Sequence, residues 1–541
     1  MKTSLILILF LIGLLFRTPI LLSQNIEWAR NVLTASPLDP RIASDKAGNS
    51  FVFGNFLDTC TFGTFTLISN GEDDIYITKY NPTGIVQWSK GIGGISTDRA
   101  QDVATDPTGN VYIMGGYQGP TDFGGIILSG SGSFVAKYSS LGNLLWAHPI
   151  DTLQGTYGMR ITVSDSGTIF IAGNLLSQTD FGCAVLNKGI YDTQFILRYD
   201  SNGVCQWVQS FITPFAFDIT TDKNNCVYLT GVVMGQGTFG TNTILSHGSQ
   251  DIFIAKCNAN GTWAWAHSIG SNDFDQGTGI TADNYGHIYC TGYFKHTATF
   301  GSYTLTSQSD SDIFIACYDS AGNCLWAKKP GGGYGSHYAF EITSDRKGNC
   351  IVTGGIIDTT HFGNYTILPN GEKTFVAKYD SLGDCKWAIV SNGDSGDRGL
   401  DIKTDTLDNI FLTGLFFGAG NYEWGNNSFY IPYTQACTSS LNKCSSIFVV
   451  KINSSLVNVH ELDGIMNNLK IYPNPTNSIL NIIDNQNQFK NSVIEVKNYF
   501  GQVIFVTSFT NQINLSDLSD GLYFLTIQST EKTITLKIIK Q

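Results

Sequence analysis

The sequence predicts an all-β protein in which a seven-bladed β-propeller, closed by the N-terminal strand, is followed by a small Ig-like β-sandwich. Three observations lead to this fold class. The 541-residue chain holds 58 glycines and 12% aromatic residues but 14% charged residues, a composition typical of short strands joined by tight turns. Its tryptophans recur at nearly constant spacing. The last unit of the repeated region lacks its tryptophan strand, and the N-terminal segment carries such a strand without the rest of a unit.

Four markers repeat in register between residues 26 and 455. Consecutive tryptophans of one series are 60, 58, 61, 58, 61 and 61 residues apart. A turn such as that in TDPTGNVYIMGGY (105–117), a Phe-Gly pair and an alternating run such as DIFIAKC (251–257) recur with it. Because each marker occurs seven times, we interpret the region as seven copies of one unit. The tryptophan series consists of Trp28, Trp88, Trp146, Trp207, Trp265, Trp326 and Trp387.

Each unit has the pattern of four short strands. Residues alternate around a turn in which Asp106 can bond backbone amides, while Gly109 and Asn110 tolerate positive φ. The Ile/Val/Phe/Tyr run supplies a third strand and the tryptophan segment a fourth. A four-stranded unit of about 60 residues is longer than the usual propeller blade of ~40–45, so the Phe-Gly segment is predicted to add a hairpin between strands two and three.

The two ends of the repeated region complement each other. The seventh unit has its turn at Asp405 and its run IFVVKIN (447–453) but no tryptophan strand, whereas NIEWARNV (25–32) carries Trp28 with no hairpin before it. We therefore predict that the N-terminal strand completes the last blade and closes residues 24–455 into a ring, which removes two open sheet edges. The alternative is an open β-solenoid, which does not require gaps at both ends.

The units resemble the SBBP-type β-propeller repeat, in which the pattern D-x-x-G-N-x-Y-x-x-G is followed by an Ile-Phe-x-x-Lys-Tyr strand and a tryptophan. The resemblance covers about residues 25–455, and it departs where Ser164 replaces the turn Asp and Asp408 replaces the turn Gly. It implies a propeller fold in a secreted or surface protein, and it does not imply one particular activity.

Residues 1–23 are predicted to be a secretory signal peptide. They begin with Lys2, run apolar from Leu5 to Phe16 and end near Ser23. An uncleaved membrane anchor is the alternative, but nothing nearby extends the apolar stretch to a full span, and no later segment is apolar enough to cross a membrane. The net charge of −12 becomes −14 when the peptide leaves with Lys2 and Arg17 (−12 minus two positive charges).

After a predicted linker at 456–468, residues 469–541 carry five short alternating runs. ILNIID, SVIEVKN, QVIFVTS, LYFLTIQ and TITLKII have the pattern of a small antiparallel sandwich. The segments IYPNPTNSILNI, DLSDGLYFLTIQS and the final LKIIKQ resemble, in this order, the C-terminal sorting domain of the type IX secretion pathway. The resemblance implies export across the outer membrane of a Gram-negative cell, with the type IX machinery as partner. The alternative is a terminal Ig-like module without a sorting role.

Several classes of function are disfavoured by the sequence. No Lys/Arg block is present that would neutralise a phosphate backbone, so we expect no nucleic-acid partner. The eight histidines form no H-x-x-x-H pair and the sequence has no C-x-x-C, so we expect no zinc site, and we expect no cofactor. Twelve cysteines suit an oxidising compartment; Cys437 and Cys444 are the predicted disulfide, and Cys226 with Cys257 is a weaker candidate.

The residue four positions before each turn position begins the predicted innermost strand. The next residue is always Ile or Val, so a period of two sends the apolar set into the blades and the other set toward the axis. That axial set has four acids and two arginines. Three interpretations stand: charges that neutralise one another in a wet channel, a site for a polar ligand or cation, and paired carboxylates for acid–base catalysis. The axial set is Arg41, Asp102, Arg160, Asp218, Gly279, Glu341 and Asp401.

The loops before these strands are predicted to form the mouth of the channel, where a propeller places its sites. Their aromatic and polar residues suit a carbohydrate or a peptide, and equally an ordinary solvated rim. We therefore expect a secreted or surface-displayed binding or adhesion scaffold with a glycan or protein ligand. The alternatives are an extracellular carbohydrate-active enzyme that uses carboxylates at the mouth, and a purely structural surface component. The mouth residues are Asp98, Arg99, Tyr157, Phe215, Asp275, Gln276, His337, Tyr338, Asp397 and Arg398.

Overall fold

The computed structural model describes residues 26–34, 40–151, 156–393, 396–417, 419–425, 427–431, 445–453, 469–472, 476–484, 489, 492–498, 503–519, 521–528 and 533–540. The predicted signal peptide (1–23), the predicted linker (456–468) and both Cys437 and Cys444 lie outside the described residues. The chain divides into two compact units, Met1–Ser455 and Leu456–Gln541. Every element in the described ranges is a β-strand, which confirms the all-β prediction.

The strands of the first unit follow one another at short intervals. Residues 26–149 form β1 (Ile26–Leu33), β2 (Arg41–Ser44), β3 (Ser50–Phe56), β4 (Thr59–Phe62), β5 (Phe65–Ile68), β6 (Asp74–Tyr80), β7 (Val86–Ile92), β8 (Arg99–Thr105), β9 (Val111–Gln118), β10 (Thr121–Asp122), β11 (Ile127–Leu128), β12 (Ser131–Tyr138) and β13 (Leu144–Pro149). Residues 156–328 form β14 (Thr156–Val163), β15 (Ile169–Leu175), β16 (Thr179–Asp180), β17 (Val185–Leu186), β18 (Thr193–Tyr199), β19 (Cys205–Ile212), β20 (Phe215–Thr221), β21 (Val227–Val233), β22 (Gln236–Phe239), β23 (Asn242–Leu245), β24 (Asp251–Cys257), β25 (Trp263–Ile269), β26 (Gln276–Ala282), β27 (Ile288–Phe294), β28 (Thr297–Phe300), β29 (Tyr303–Thr306), β30 (Asp312–Tyr318) and β31 (Cys324–Lys328). Residues 331–452 form β32 (Gly331–Gly332), β33 (Tyr338–Ser344), β34 (Cys350–Ile356), β35 (Thr360–Phe362), β36 (Tyr365–Ile367), β37 (Lys373–Tyr379), β38 (Cys385–Val390), β39 (Asn392–Gly393), β40 (Gly396–Thr404), β41 (Ile410–Phe417), β42 (Gly420–Trp424), β43 (Asn427–Ile431) and β44 (Ser445–Ile452).

Antiparallel groups of four strands recur through this unit, and the described residues contain seven of them. Each begins with an inner strand that carries one residue of the predicted axial set. The groups, called the first to seventh sheets, are β2-β3-β6-β7, β8-β9-β12-β13, β14-β15-β18-β19, β20-β21-β24-β25, β26-β27-β30-β31, β33-β34-β37-β38 and β40-β41-β44-β1. The predicted extra hairpin at the Phe-Gly marker is confirmed as β4-β5, β10-β11, β16-β17, β22-β23, β28-β29, β35-β36 and β42-β43.

The turn after each inner strand explains the repeated Asp and Gly. Asp106 Oδ1 accepts hydrogen bonds from the backbone amides of Thr108 (2.9 Å) and Asn110 (3.0 Å), and its Oδ2 accepts one from Asn110 Nδ2 (2.8 Å). Gly109 adopts φ +81°, a conformation that a side chain would strain. The turn is therefore held by one carboxylate and one glycine.

Three turns depart from this pattern. In one, Ser164 offers a single oxygen, and its Oγ accepts a longer bond of 3.3 Å from Thr168 N. In the other two, Asn225 (φ +59°) and Asp408 (φ +64°) take the place of the glycine, a conformation that Asn and Asp tolerate better than most residues. Asp408 Oδ1 also accepts a bond of 3.0 Å from Arg346 N of the sixth sheet's turn.

The tryptophan markers join neighbouring sheets. Trp88 Nε1 donates to the carbonyl of Ser140, in the outer turn of the second sheet, at 3.3 Å. A Cβ on Gly142 of that turn would lie 2.9 Å from the Trp88 ring, so the indole packs directly on the glycine. The same donation to the next sheet's turn is made by Trp28 to Pro82, Trp207 to Ala259, Trp265 to Ser320 and Trp326 to Ser381.

The first and last strands of the unit pair with each other. Strand β1 lies antiparallel to β44, with Trp28 opposite Lys451 and Val32 opposite Ile447. Lys451 Nζ also forms an ion pair of 2.9 Å with Glu27. The inner strands contact one another in the order β2, β8, β14, β20, β26, β33 and β40, and β40 contacts β2.

The second unit consists of two antiparallel sheets around one core. Its strands are β45 (Leu469–Tyr472), β46 (Ile479–Asp484), β47 (Val493–Asn498), β48 (Val503–Ser508), β49 (Gln512–Asn514), β50 (Gly521–Gln528) and β51 (Thr533–Lys540). The sheets have the orders β45-β46-β49 and β48-β47-β50-β51. Leu480 of one sheet and Ile494 and Leu525 of the other are fully buried in the shared core. The five runs predicted from alternation are all strands.

The cysteines differ from the expectation. Cys226 and Cys257 are both free thiols, so the prediction that they pair is wrong. A disulfide joins Cys183, directly after the Phe181-Gly182 marker, to Cys205, two residues before Trp207. It links the outer hairpin of the third sheet to that sheet's outermost strand.

Among the residues that the structure describes, no helical segment has the length and hydrophobicity of a membrane span.

Candidate functional site: the inner cavity and its entrance

The inner strands line a cavity of about 210 Å³, here called the inner cavity. All six charged residues of the predicted axial set contribute to its lining, although they come from six different sheets: Arg41, Asp102, Arg160, Asp218, Glu341 and Asp401. The seventh position is Gly279, where a Cβ would lie 3.0 Å from the Cα of Glu341. The glycine thus allows the fifth and sixth inner strands to approach closely.

Lys403 is a charged residue of the cavity that the prediction missed. It lies two residues after Asp401 on β40, so the period of two places it on the same face. Its Nζ is 3.1 Å from Asp401 Oδ1 and 3.6 Å from Glu341 Oε1. The equivalent residues of the other inner strands are Ala43, Ala104, Thr162, Thr220, Thr281 and Thr343, so the lysine was visible in the sequence as the one charged member of its set.

Two of the acids tie neighbouring sheets through backbone amides. Asp102 accepts bonds from Val103 N of its own strand (2.9 Å) and from Ile161 N of the next sheet (2.9 Å). Asp218 has the same arrangement, with Ile219 N at 2.8 Å and Ile280 N at 2.7 Å. Both carboxylates therefore have each oxygen occupied by a backbone donor.

Asp401 makes the corresponding tie between the seventh and first sheets. Its Oδ2 accepts a bond of 2.8 Å from Ile42 N, while its Oδ1 faces Lys403. Glu341 differs, because its longer side chain bonds Ile342 N of its own strand at 3.2 Å and lies 3.9 Å from an Arg41 nitrogen. Glu341 therefore lacks the bond to a neighbouring sheet's backbone amide that Asp102, Asp218 and Asp401 accept.

Burial dominates the electrostatics of the cavity. It raises the pKa of Asp102 and of Asp218, against the opposing effect of Arg160 on the former and of Lys403 on the latter. The pKa of Glu341 is raised well above its usual range by burial and then by the charge of Asp218. Burial acts to lower the pKa of Lys403, but the surrounding carboxylates, led by Asp401, raise it above its ordinary value.

The charges nearly cancel once Lys403 is counted. Four carboxylates face Arg41, Arg160 and Lys403, which gives −1 when all are ionised (−4 plus 3) and zero when Glu341 is protonated. Such a set fits the interpretation of a neutralising network in a wet channel. Across the described ranges, no group of three or more His, Cys, Asp or Glu residues is arranged to hold a metal ion.

The acidic and histidine residues predicted at the mouth are not presented to solvent. Asp98, Asp275, His337 and Asp397 are fully buried, each four residues before an axial position. Asp98, for example, accepts bonds from Gly94 N at 2.8 Å and from Gln118 N at 3.1 Å. These side chains fasten the loops that lead into the inner strands, and in the structure they are buried instead of exposed at the mouth.

His337 and Asp397 show the same role with different partners. His337 Nε2 lies 3.0 Å from Asp358 Oδ1, and burial lowers the pKa of this histidine. Asp397 accepts a bond of 3.0 Å from Thr374 N and faces Lys373 at 3.8 Å. Tyr157 lies in β14 and its backbone pairs with that of Asn174 in β15, while its side chain is outside the described atoms.

The half-exposed part of the entrance is aromatic and lies where the inner strands of the fifth to seventh sheets begin. Tyr338 and Arg398, both predicted, contact residues that were not predicted. The Tyr338 ring meets Tyr293 edge-on at 4.9 Å, and the Arg398 guanidinium lies 5.4 Å from the centre of Phe340 and 5.3 Å from that of Phe417. Tyr293, Tyr338, Phe340, Arg398 and Phe417 are called the aromatic cluster below.

The opposite end of the inner strands opens differently. A second cavity of about 350 Å³ is lined by the repeated turns and shares Ser44, Thr105, Val163 and Thr404 with the inner cavity. The turn carboxylates that line it, such as Asp106, bond their own turns. This end is therefore acidic but internally satisfied, and the aromatic cluster distinguishes the other end.

Comparison with known proteins bears on the C-terminal unit first. Residues 470–541 match the family model described as the secretion system C-terminal sorting domain. The sorting domain predicted from the motif order is thereby confirmed. It implies that the chain is exported to the cell surface or beyond and interacts with the type IX secretion machinery.

The remainder of the chain has more distant relatives. An uncharacterized WD repeat-containing protein of Acanthamoeba polyphaga mimivirus is 26% identical to this chain over 450 residues. The match covers 72% of this chain and 30% of the mimivirus protein, so the chain spans less than a third of that relative's length. Among solved structures, the Neurospora crassa Pan2 WD40 domain is 9% identical with a TM-score of 0.41, covering 78% of this chain and 90% of that one. The Dos1 propeller is 9% identical with a TM-score of 0.35, covering 77% and 94%.

Proposed function

We propose that the first unit is a closed seven-bladed β-propeller of the SBBP type and that it acts as a binding or adhesion scaffold outside the cell. The seven sheets are its blades, and strand β1 is the outer strand of the last blade. The pairing of β1 with β44 and the bond from Ile42 N to Asp401 support closure, because both join the beginning of the unit to its end. The second unit is an Ig-like sandwich that directs export.

One observation carries the binding role: a half-buried aromatic cluster at one end of an inner cavity, in a chain with a sorting domain. Aromatic residues and arginine are enriched at binding surfaces, because they contribute large contact area at low entropic cost. The neutralised charges of the inner cavity leave the entrance as the contact surface. The ligand is a glycan or a protein outside the cell.

The processing of the chain follows from its two ends. Residues 1–23 direct the chain across the inner membrane and are removed, and 456–468 connect the propeller to the sorting domain. The type IX machinery recognises residues 469–541 and carries the propeller outward. The propeller then stays on the surface or is released.

A second candidate, an extracellular carbohydrate-active enzyme, is favoured by one observation. Glu341 has a raised pKa and lies in one cavity with Asp218 and Asp401, which is the environment of a general acid. Against it, the carboxylates of Asp102 and Asp218 are occupied by backbone amides. Hydrolysis of a polysaccharide by the wild type that is lost in a Glu341→Gln variant with an unchanged melting temperature would favour the enzyme.

The proposal is tested on intact cells and on the purified chain. We expect an antibody to the propeller to label cells that produce the full chain, and to leave unlabelled cells whose chain lacks 469–541. The purified chain is then applied to immobilised polysaccharides and proteins and to cell surfaces. Binding to at least one class without turnover supports a scaffold, and absence of binding to all of them refutes it.

A further inference from the structure

The aromatic cluster is a rigid surface assembled from three sheets. Tyr293 and Tyr338 meet at an interplanar angle of 88°, and the Tyr293 hydroxyl donates to Gln276 Oε1 at 2.7 Å. Tyr338 and Phe340 lie 6.3 Å apart on the same inner strand. Because contacts within the protein fix these rings, little conformational entropy is lost when a ligand covers them.

The backbone explains why Phe340 takes part. Ala339 pairs with Gly354 and Glu341 with Thr353, so Phe340 is the extra residue of a β-bulge. A bulge re-aims a side chain that would otherwise follow the alternation of the strand. Phe340 is half-buried, in contrast to the apolar residues Ala339 and Ile342 on either side of it on β33, which are buried.

Arg398 completes the surface and packs beside Gly355 and Glu372. A Cβ on Gly355 would lie 3.6 Å from Arg398 Cγ and 3.1 Å from Glu372 Oε1. Arg398 Nε donates to Glu372 at 2.7 Å, so the guanidinium is held between the Phe340 and Phe417 rings with its charge paired. The cluster therefore offers flat apolar faces edged by hydrogen-bonding groups, without a free net charge.

A second exposed aromatic residue stands in the loop that leads to Tyr338. The side chain of Tyr334 is 93% exposed, yet its backbone is fixed, because Asp358 Oδ2 accepts bonds from Tyr334 N (2.7 Å) and Gly335 N (2.8 Å). The neighbouring loop of the fifth sheet carries Phe274, which is 50% exposed. Large exposed aromatic side chains on pinned loops are typical of contact surfaces.

This chemistry selects one class of ligand. Sugar rings present apolar C–H faces and hydroxyl edges, which match flat aromatic rings bordered by Tyr, Gln, Glu and Arg groups. An anionic polymer would meet an arginine already paired with Glu372, in a chain whose net charge is −12. A single sugar would leave Tyr334 or Phe274 uncovered, whereas a chain of sugars spans several rings.

We infer that the aromatic cluster, extended by Tyr334, is a binding site for a neutral polysaccharide. The inference rests on the proposed scaffold function and names its ligand class. Binding occurs by stacking of sugar faces on Tyr338 and Phe340, while the Arg398–Glu372 pair bonds the hydroxyl edges. The inner cavity takes no direct part.

The test uses the purified full chain and soluble polysaccharides of known charge. Affinity electrophoresis and calorimetry compare laminarin, galactomannan and dextran, which are neutral, with alginate, which is anionic. We expect at least one neutral polymer to bind and alginate not to bind. Phe340→Leu and Tyr338→Leu keep apolar volume but remove the flat ring, and each is expected to weaken binding about tenfold or more, equivalent to about 1.4 kcal/mol.

Two further variants make the result interpretable. Tyr285→Ala is the matched control, because this tyrosine is 65% exposed but lies in the turn at the other end of β26; its affinity should match that of the wild type. If Phe340→Leu does not fold, Arg398→Lys takes its place as a cluster variant. It keeps the positive charge but loses the planar guanidinium, so it should also weaken binding. Thermal melts establish that each variant is native.

The results distinguish the proposed site, the ligand class and the scaffold function. Neutral-polymer binding that the cluster variants weaken and Tyr285→Ala preserves supports the inference. Binding that the cluster variants leave unchanged overturns the site. Binding confined to alginate or to immobilised proteins overturns the ligand class while the scaffold function stands. Absence of binding to any polysaccharide, protein or cell surface overturns both.

Discussion

The bond between Asp401 and Ile42 gives the sharpest test of how the first unit is held together. Its donor lies at the beginning of the unit and its acceptor near the end, and both residues are buried. We compare Asp401→Asn with Asp401→Ala. Both remove the negative charge beside Lys403, but the asparagine keeps an oxygen that can accept from Ile42 N, whereas the alanine leaves this buried amide without its acceptor.

The difference between the two variants isolates the hydrogen bond. A buried donor left unsatisfied costs about 1–3 kcal/mol, so Asp401→Ala should be less stable than Asp401→Asn by that amount. The charge effects, including relief of the repulsion that Asp401 exerts on Glu341, are common to both and cancel. The same pair of substitutions at Asp218, which bonds Ile280 N at 2.7 Å between the fourth and fifth sheets, should give a difference of similar size.

Urea titration followed by tryptophan fluorescence measures this difference. All nine tryptophans precede residue 425, so the signal reports the first unit and not the sorting domain. Linear extrapolation gives the free energy of unfolding of each variant. If the Ala and Asn variants at 401 agree within about 0.5 kcal/mol, the range of an uninvolved surface change, while those at Asp218 differ, the seventh and first sheets are not joined in solution and the ring is refuted.

Three further predictions follow from the repeats and the cavity. In the fifth sheet, Ser302 and Cys324 occupy the positions of the disulfide-bonded pair of the third sheet, with the same separation of 22 residues. A Ser302→Cys variant should therefore form a disulfide with Cys324 that raises the free energy of unfolding by about 2–4 kcal/mol. Mass spectrometry without reductant detects the disulfide, and two free thiols would contradict the equivalence of the two sheets. Ser164→Asp restores a two-oxygen acceptor for Thr168 N and the rest of that turn, and should raise the melting temperature with a gain of about 0.5–1.5 kcal/mol; a fall would show that serine is preferred there. Burial raises the pKa of Glu341 above the usual 4.5, so its contribution to stability is complete below pH 4.5 and is lost as the pH rises through the pKa of the folded protein. Between pH 4 and pH 8 the melting temperature should therefore fall less for Glu341→Gln than for the wild type, and parallel curves would exclude this residue as the cause.

The parts of the fold that repeat were accessible to prediction because each marker has one local cause. The turn Asp bonds amides two and four residues ahead, as Asp106 does, and the tryptophan needs the glycine of the next turn, as Trp88 needs Gly142. The axial set followed from a period of two, which equally indicates Lys403. The disulfide was also readable, since Cys183 and Cys205 each adjoin a marker of the same unit.

The sequence showed which loops precede the inner strands, but not which of their side chains are buried. Polar residues in loops are predicted to be solvent-exposed. Asp98 is nevertheless buried, because its carboxylate accepts hydrogen bonds from the backbone amides of Gly94 and Gln118. The aromatic cluster depends on a bulge at Phe340 and on the pairing of Arg398 with Glu372, neither of which has a sequence signature by itself. Its residues come from separate sheets, and their proximity is a property of the assembled structure.

The pairing of β1 with β44 has a consequence for how this chain folds on its way out of the cell. Strand β1 precedes the other described strands of the unit, and its partner β44 lies near the unit's far end. Strand β1 therefore has no paired strand until almost all of the others have been synthesised. Contacts so distant in sequence form slowly, and an unpaired edge attracts other chains in the meantime. Final assembly is therefore a late event, and a chain truncated anywhere before residue 445 is expected to carry an unsatisfied edge at its start, prone to aggregation and proteolysis.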